Sequence, residues 1–418
     1  MNRDLPGPAG ILYLVDGLGL SGKTKAMVDL IAGLDPRRYR AEVVCFDPEP
    51  SALYDRLHAL GVNVNQVPCP EGLNLSVVAR LTALVRRLRP DVLHCYNPRT
   101  MLYGGVVARA LGVRATLGSL SAFACLTPDR EYQFLPQKLF SASGRNRLRN
   151  RAAAWLIRAL VTVSPSLGEN FCRYNAIDLQ RLRVVPYGVD VDRFAQVTPE
   201  QIATFRARYQ LKPDQVVVAS IGRLVEQKDY PTQLKAFALA AAQEPSLFML
   251  LVGDGPLRGE IEELARQLGI ADRVRLAGHS NEVPIAMRAV DVFVIASKFE
   301  PYGVALLEAK AAGVAIVATR VNEIPEILGE RPAGGHVGAG TGSEASTGRL
   351  VPAENPAAMA EAFVQLARDA AERRALGARA ALDARTRHSL AAAVRAYQQL
   401  YDEARGLAQR EVALRVAF

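Results

Sequence analysis

Aromatic residues are scarce in this chain: they make up 6% of its 418 residues, with a single tryptophan. That scarcity counts against a platform on which single-stranded nucleic acid stacks base by base. Cysteine is scarce too. Cys45, Cys69, Cys95, Cys125 and Cys172 show no close spacing, which argues against a disulfide scaffold and fits free thiols in a reducing compartment. The five histidines are scattered, so no metal-ligating cluster is expected. No apolar run reaches the ~18 residues needed to span a bilayer. The first ten residues, MNRDLPGPAG, lack the charged region and cleavage site of a secretory signal, and the expected location is the cytoplasm.

What is present describes a globular protein with an acidic partner. Half of the residues are apolar and 22% are charged, a balance that excludes a disordered chain. The net charge of +9 suits a nucleotide, an anionic membrane surface or nucleic acid. No recognition fold for nucleic acid accompanies that charge. The length exceeds one ordinary core and implies two domains.

Apolar runs at strand spacing alternate with helical patterns. Strands are expected at residues 11–15, 41–46, 62–67, 92–95 and 114–117, with helices at 51–60, 75–88 and 103–111 between them. The series restarts with a strand at 215–221. Such alternation predicts doubly wound α/β domains with sites at the carboxyl ends of the strands. A polar helical segment at 192–213 reads as the linker, a Gly/Ala/Ser-rich stretch at 329–347 as a mobile loop, and residues 389–414 as a terminal helix.

The most informative stretch is 291–328, DVFVIASKFEPYGVALLEAKAAGVAIVATRVNEIPEIL. A β-branched strand ends in the turn Ser297-Lys298-Phe299-Glu300. Pro301-Tyr302-Gly303 then opens a helix carrying Val304, Leu306, Leu307 and Glu308, and a second strand follows at 315–319. This is a β–loop–α–β unit. A helix N-terminus offers unpaired N–H groups to phosphate, here near Gly303 and Val304, and carboxylates beside it can accept from sugar hydroxyls. The combination suits a sugar attached to a phosphate. Arg223 and Lys228, two cations at the end of an earlier strand, suit a diphosphate.

The two glutamates eight positions apart in SKFEPYGVALLEA resemble the donor-site signature of retaining GT-B glycosyltransferases, in particular glycosyltransferase family 4. Other segments resemble that family in its order: Gly222-Arg223-Leu224 with Gln227-Lys228-Asp229, Gly253-Asp254-Gly255-Pro256, Ala277-Gly278-His279, Pro325-Glu326-Ile327 and Gly348-Arg349-Leu350-Val351-Pro352. Upstream, Val185-Pro186-Tyr187-Gly188-Val189-Asp190 resembles its hinge region. The resemblance covers residues 160–400 well and the first half loosely.

It implies a GT-B fold of two Rossmann-like α/β domains facing a cleft. The expected domains are 1–195 on the acceptor side and 196–399 on the donor side, with the last helix, 400–418, packing back on the first. It implies transfer of a sugar from a nucleotide-sugar to an acceptor hydroxyl, with retention and without a metal or other cofactor. Arg223, Lys228 and Glu300 are the candidate catalytic residues: the cations stabilise the departing diphosphate and Glu300 orients the donor sugar. Donor contacts are expected from Gly19, Gly22, Gly253, His279, Pro301, Tyr302, Gly303, Val304 and Glu308, the last accepting from the ribose hydroxyls. The acceptor is expected to be a glycan or a lipid-linked sugar.

Several motifs have competing readings. GLGLSGKT at 17–24 satisfies the P-loop pattern, with Lys23 on phosphates and Thr24 on magnesium, and would make the chain an NTPase or kinase. The resembled family also has a Gly-rich loop there, and Gly19 and Gly22 fit it. A nucleotide-sugar epimerase would use the same donor cleft, and a GT-B scaffold without activity is a third alternative. His279 is either a plain loop residue or a backbone contact to the base. Asp190-Val191-Asp192 looks like a metal-binding pair but lies in a turn, where capping chemistry explains it. Arg145, Arg147, Arg149 and Arg151, followed by Trp155 and Leu156, form a solvated helix or, through residues 145–158, a peripheral contact with the inner membrane face. The chain departs from the family in three places, one of them the stretch at 329–347, which is longer than usual. Gly118-Ser119 stand where a histidine often does, and Val321-Asn322-Glu323 where paired glycines do.

Overall fold

The structure is a computed structural model. It describes residues 7–19, 22–47, 51–70, 74–120, 143–300, 302–330, 344–345 and 347–406; of 143–146 and 344–345 it describes the backbone only. Most of the expected glycine-rich loop at 329–347, Pro301 and Cys125 lie outside the described residues.

The chain forms two compact units. One holds the residues up to Gly188 together with the segment from Leu390; the other is Val189–Ser389. Each is built on a seven-stranded sheet.

In the first unit the strands are β1 (Ala9–Val15), β2 (Tyr39–Cys45), β3 (Val64–Gln66), β4 (Val92–Cys95), β5 (Ala115–Ser119), β6 (Ala159–Thr162) and β7 (Leu182–Val184). Their spatial order is β3-β2-β1-β4-β5-β6-β7, and every pairing is parallel. Both faces of a parallel sheet are covered by crossover helices. That is why β1 and β4 are apolar almost throughout and buried at every position.

In the second unit the strands are β8 (Val216–Ile221), β9 (Leu247–Val252), β10 (Val274–Gly278), β11 (Val292–Ile295), β12 (Ala315–Thr319), β13 (Glu344–Ala345) and β14 (Gly348–Val351). The order is β10-β9-β8-β11-β12-β14-β13. Only β13 runs antiparallel, against β14. Both sheets reverse direction of growth once: beside β1, where β2 and β4 flank it, and beside β8, where β9 and β11 do. Such a switch point leaves a crevice outside the carboxyl ends of the strands.

The segment expected to be a linker is structured. Residues 192–213 contain the helices Asp192–Ala195 and Pro199–Arg208. Phe194 and Phe205 are buried, and Arg206 donates to the Ala289 carbonyl at 2.7 Å. A polar surface on one face of a short amphipathic helix reads as linker composition while the other face packs. The division between the units accordingly falls at Gly188/Val189 rather than after residue 195. A second crossing falls at Ser389/Leu390, and Val189 and Ser389 form a parallel bridge.

The terminal helix is Leu390–Ala404, which starts where the helix expected at 389–414 does and earlier than the 400–418 expected to pack back on the first domain; residues 407–418 lie outside the described residues. It packs on the first unit. Gly33, closing the helix Gly22–Gly33, leaves room for Val394: a Cβ there would come within 2.6 Å of a valine methyl. Tyr401 meets Tyr13 of β1, hydroxyl to hydroxyl at 2.9 Å, and His94 of β4 through Nδ1 at 3.0 Å. His94 Nε2 in turn lies 2.8 Å from Ser119 Oγ. The helix thus finishes a core that β1, β4 and β5 leave open.

The helix before β5 is Pro98–Leu111, five residues earlier than expected. Asn97 caps it in a capping box with Thr100, and Pro98 occupies the first turn. Asn-Pro reads as a turn, and here the proline sits where its missing N–H costs nothing.

Candidate active site

The second switch point is built from the loops after β8 and β11. Leaving β8, the chain runs through Gly222, Arg223 and Leu224 to a short 3₁₀ turn at Glu226–Lys228. Asp229, in the left-handed region at φ 46°, caps the helix Tyr230–Ala241. Leaving β11, it passes Ser297, Lys298, Phe299 and Glu300 before Gly303, which caps the helix Val304–Ala312 at φ 72°. A Cβ at Gly303 would lie 3.3 Å from the Glu300 Cγ, so glycine serves both the turn and the close approach.

The two loops hold each other. Gln227 donates its amide to the Phe299 carbonyl at 2.8 Å, and the Lys298 N–H returns a bond to the Gln227 carbonyl at 3.0 Å. The side chains converge as well. Lys228 Nζ and Glu300 Oε2 form an ion pair, and Ser297 Oγ donates to the same carboxylate oxygen at 2.9 Å. Both partners are largely buried, the side chains of Lys228 and Glu300 being 18% and 8% exposed. Asn322, after β12, receives the Glu300 N–H on its side-chain oxygen at 3.0 Å.

The structure therefore brings together Lys228, Glu300, Gly303 and Val304 and, about one turn along the helix from Val304, carries Glu308, which is buried. Tyr302 is buried beside Gly303. Arg223 lies at the strand end, exposed. Gly253 ends β9 at φ 142° with its N–H on the Gly278 carbonyl at 2.8 Å. A Cβ there would fall 1.8 Å from the Gly222 carbonyl oxygen, so only glycine lets these two strand ends meet. His279, next to Gly278, is exposed and its Nε2 lies 3.1 Å from the Asn281 side-chain oxygen.

Gly19 and Gly22 belong to the other unit, at the end of β1. The neighbouring P-loop residues are occupied locally. Thr24 Oγ1 donates to the Gly19 carbonyl at 2.5 Å, and Lys23 donates to the Tyr96 carbonyl while packing on that ring. Burial holds the Lys23 amine down at about 8, against the pull of Asp16. Asp16 itself accepts from Asn97 and lies 3.9 Å from Arg99, which pairs with Asp47 at 2.8 Å. The Lys23 side chain is thus tied to the β4 end instead of standing free for phosphate.

Sequence reasoning named Ser297, Gln227 and Asn322 within its motifs but gave none of them a role in the site. Asn322 had a signal: it sits at φ 46°, where the family favours glycine, and asparagine is the residue that best tolerates that region. Among the described residues no group of three His, Cys, Asp or Glu side chains is placed to hold a metal ion.

Two parallel α/β units, each with polar side chains at a switch point, define the GT-B class of glycosyltransferases. Two family models match, "Glycosyl transferases group 1" over residues 201–383 and "Glycosyltransferase Family 4" over residues 21–193. The chain belongs to the family 4 type of glycosyltransferases and is a transferase enzyme. It is 25% identical over 323 residues to the putative glycosyltransferase EpsF of Bacillus subtilis, covering 75% of this chain and 80% of that one. It is 25% identical over 251 residues to an Escherichia coli enzyme named UDP-Gal:alpha-D-GlcNAc-diphosphoundecaprenol alpha-1,3-galactosyltransferase, covering 58% and 61%. The crystal structure of Anabaena Alr3699/HepE in complex with UDP superposes with a TM-score of 0.77 at 17% identity, over 95% of this chain and 100% of that one, a likeness of fold. Neither the NTPase nor the epimerase reading is favoured by these matches.

Proposed function

We propose that the protein transfers a sugar from a nucleotide-sugar to a hydroxyl of a glycan or lipid-linked acceptor, with retention at the anomeric carbon. The observation that carries the reading is the Lys228–Glu300 pair at the β8/β11 switch point, next to the N-terminus of the helix Val304–Ala312. A cation and a helix end side by side suit a diphosphate, and a carboxylate between them and a second one along the helix suit hydroxyls.

In this reading Arg223 and Lys228 stabilise the charge that grows on the departing diphosphate. Glu300, held by Ser297 and Asn322, orients the donor sugar, and Glu308 accepts from the ribose. The backbone of Gly303 and Val304 receives phosphate or sugar, beside the buried Tyr302; Gly253 and His279 border the base, and Gly19 and Gly22 are assigned to the Gly-rich loop of the other unit. The two cations supply positive charge without a metal, so turnover is expected to survive chelation. Relatives support the choice of ligands: the Anabaena structure holds UDP, and the Escherichia coli enzyme is named for a UDP-sugar donor and a lipid diphosphate acceptor. The peripheral membrane contact through residues 145–158 belongs to the same reading, since a lipid-linked acceptor is met at a surface.

The experiment is incubation of the purified protein with a panel of nucleotide-sugars and acceptors, with NMR of the product. A new glycosidic bond with the donor's anomeric configuration supports the reading. Inversion overturns retention, and a donor epimerised without transfer overturns the transferase assignment of this site.

A further inference from the structure

The helix that carries Glu308 also carries a buried cation that no part of the transfer reaction uses. Lys310 is 0% exposed. Its Nζ donates to the Ile327 carbonyl at 2.6 Å and forms an ion pair with Asp383, on the helix Ala370–Arg387. Asp383 is also held by Arg387, whose Nε lies 2.5 Å from Oδ1, and His388 Nε2 stands 3.6 Å from Oδ2.

The two helices meet closely beyond this pair. Gly313, which caps the helix Val304–Ala312, touches the backbone of Gly377: a Cβ on Gly377 would lie 2.0 Å from the Gly313 carbonyl oxygen. Arg288 donates to the Ala312 carbonyl at 3.1 Å. The C-terminal half of the helix is thus fixed while its N-terminal half carries the donor groups.

Residues two apart on a helix project roughly 200° from one another. Lys310 therefore anchors the side opposite Glu308. A buried ion pair is a poor device for stability alone, because apolar side chains of the same volume commonly do as well or better. What a charged pair does better is to fix one register, since any slide or rotation separates the charges in a medium that does not screen them.

We infer that Lys310 is a positioning residue for the donor site: its contacts with Asp383 and the Ile327 carbonyl set the rotation and axial position of the helix Val304–Ala312, and so place Glu308 and the Gly303–Val304 backbone. This rests on the donor-site reading above. Burial draws the Lys310 amine down to about 8 against the pull of Asp383, and Arg387 and His388 face the same carboxylate. Donor affinity accordingly falls as pH rises through about 8, where the amine loses its charge.

The test compares wild type, Lys310→Met, Asp383→Leu, the double variant, Asp383→Glu and Glu308→Ala. Binding of UDP, GDP, ADP and dTDP is measured by calorimetry at pH 7 and pH 9, with thermal midpoints and the KM and kcat of the donor that turns over. The expected result is a double variant as thermally stable as wild type whose nucleotide affinity is weaker by roughly tenfold, the scale of a small misplacement. Its donor KM rises more than its kcat falls, its loss of affinity between pH 7 and 9 disappears, and Asp383→Glu recovers part of the affinity. A merely structural lysine would lower the folded fraction and leave the affinity of the folded fraction unchanged. Should the double variant fail to fold, Asp383→Asn, which keeps the shape and removes the charge, carries the same comparison. Wild-type affinity in the folded Lys310 and Asp383 variants, with Glu308→Ala impaired, overturns this inference and leaves the donor site standing. No nucleotide bound by wild type overturns the donor site and the inference together.

Discussion

The ammonium of Lys228 and the carboxylate of Glu300 neutralise one another in this structure. In the proposed donor reading, an arriving diphosphate shares that ammonium with Glu300. Arg223 is exposed at the strand end and has no such exchange to make. Lys228→Ala and Arg223→Ala are each expected to lower kcat by roughly 10²-fold, the scale of losing one preorganised charge-stabilising donor. Steady-state kinetics checks this, and near-normal turnover in both variants removes the leaving-group assignment. Two other residues contribute to the loss of stability in acid. Burial depresses His94 and His388 to about 3, the charge of Lys310 adding to the effect at His388. The unfolded chain takes up protons near the ordinary histidine value of about 6.5 while the folded chain does not. Their contribution to stability is therefore full above about 6.5 and is lost as pH falls towards about 3, at up to roughly 1.4 kcal/mol per pH unit for each histidine. Neither ring nitrogen of His388 has a hydrogen-bond partner among the described residues. His388→Phe should flatten the loss without removing a bond, and urea midpoints at pH 7 and pH 5 measure it. An unchanged pH slope in the variant contradicts the assignment.

Among the elements, the helix Ser143–Leu156 has a surface that suits a partner. Leu148 and Trp155 are 72% and 64% exposed, at positions seven apart that share one face, and Arg147, Arg149 and Arg151 are exposed on the same helix. Arg109 stacks on the Trp155 ring at 3.8 Å, which holds the indole outward. A basic helix with an exposed indole suits the headgroup region of an anionic leaflet, at about 1 kcal/mol per surface-proximal arginine. Sedimentation with phosphatidylserine vesicles is expected at low salt and lost at high salt. Replacing Arg147, Arg149 and Arg151 by Ser should abolish it, and retention of binding after that change sinks the proposal. The elements also show what sequence could reveal. The strands β8, β11 and β12 and the glutamate pair were legible because a parallel strand is an unbroken apolar run and the loop after it carries the chemistry. The helical character of 192–213 was legible too, but the packing of Pro199–Arg208 was not, because its buried face rests on Phe205 while the rest reads as polar linker. Asn322 was seen as a departure from paired glycines, yet its bond to the Glu300 N–H depends on a fold that brings β11 and β12 side by side. The link between Lys310 and Asp383 spans 73 positions and has no local pattern at all.

At the scale of the whole molecule, the second unit is continuous in sequence and the first is not. Both crossings lie together, at Val189 and Ser389. A fragment of residues 189–389 is expected to fold cooperatively by itself, since its core is drawn from its own strands and helices. Residues 1–188 alone should fold poorly, because Tyr397, Leu400 and Tyr401 belong to their core. Circular dichroism and thermal melts of the two fragments check both halves of this statement, and a cooperative melt of residues 1–188 would refute it.

The helix Leu390–Ala404 has a consequence for the order of events at the ribosome. Synthesis delivers β1 to β7 first, yet the helix that seals them against Tyr13 and His94 emerges only after the whole second unit. The half of the protein made second is thus the half that can mature first, while the half made first waits as an open sheet with its aromatic interior uncovered. Chaperone capture should concentrate in that interval. Protease challenge of stalled nascent chains with residue 389 just outside the tunnel should find 189–389 resistant and the earlier residues cleaved. Resistance of both would show that the opening strands close without their last helix.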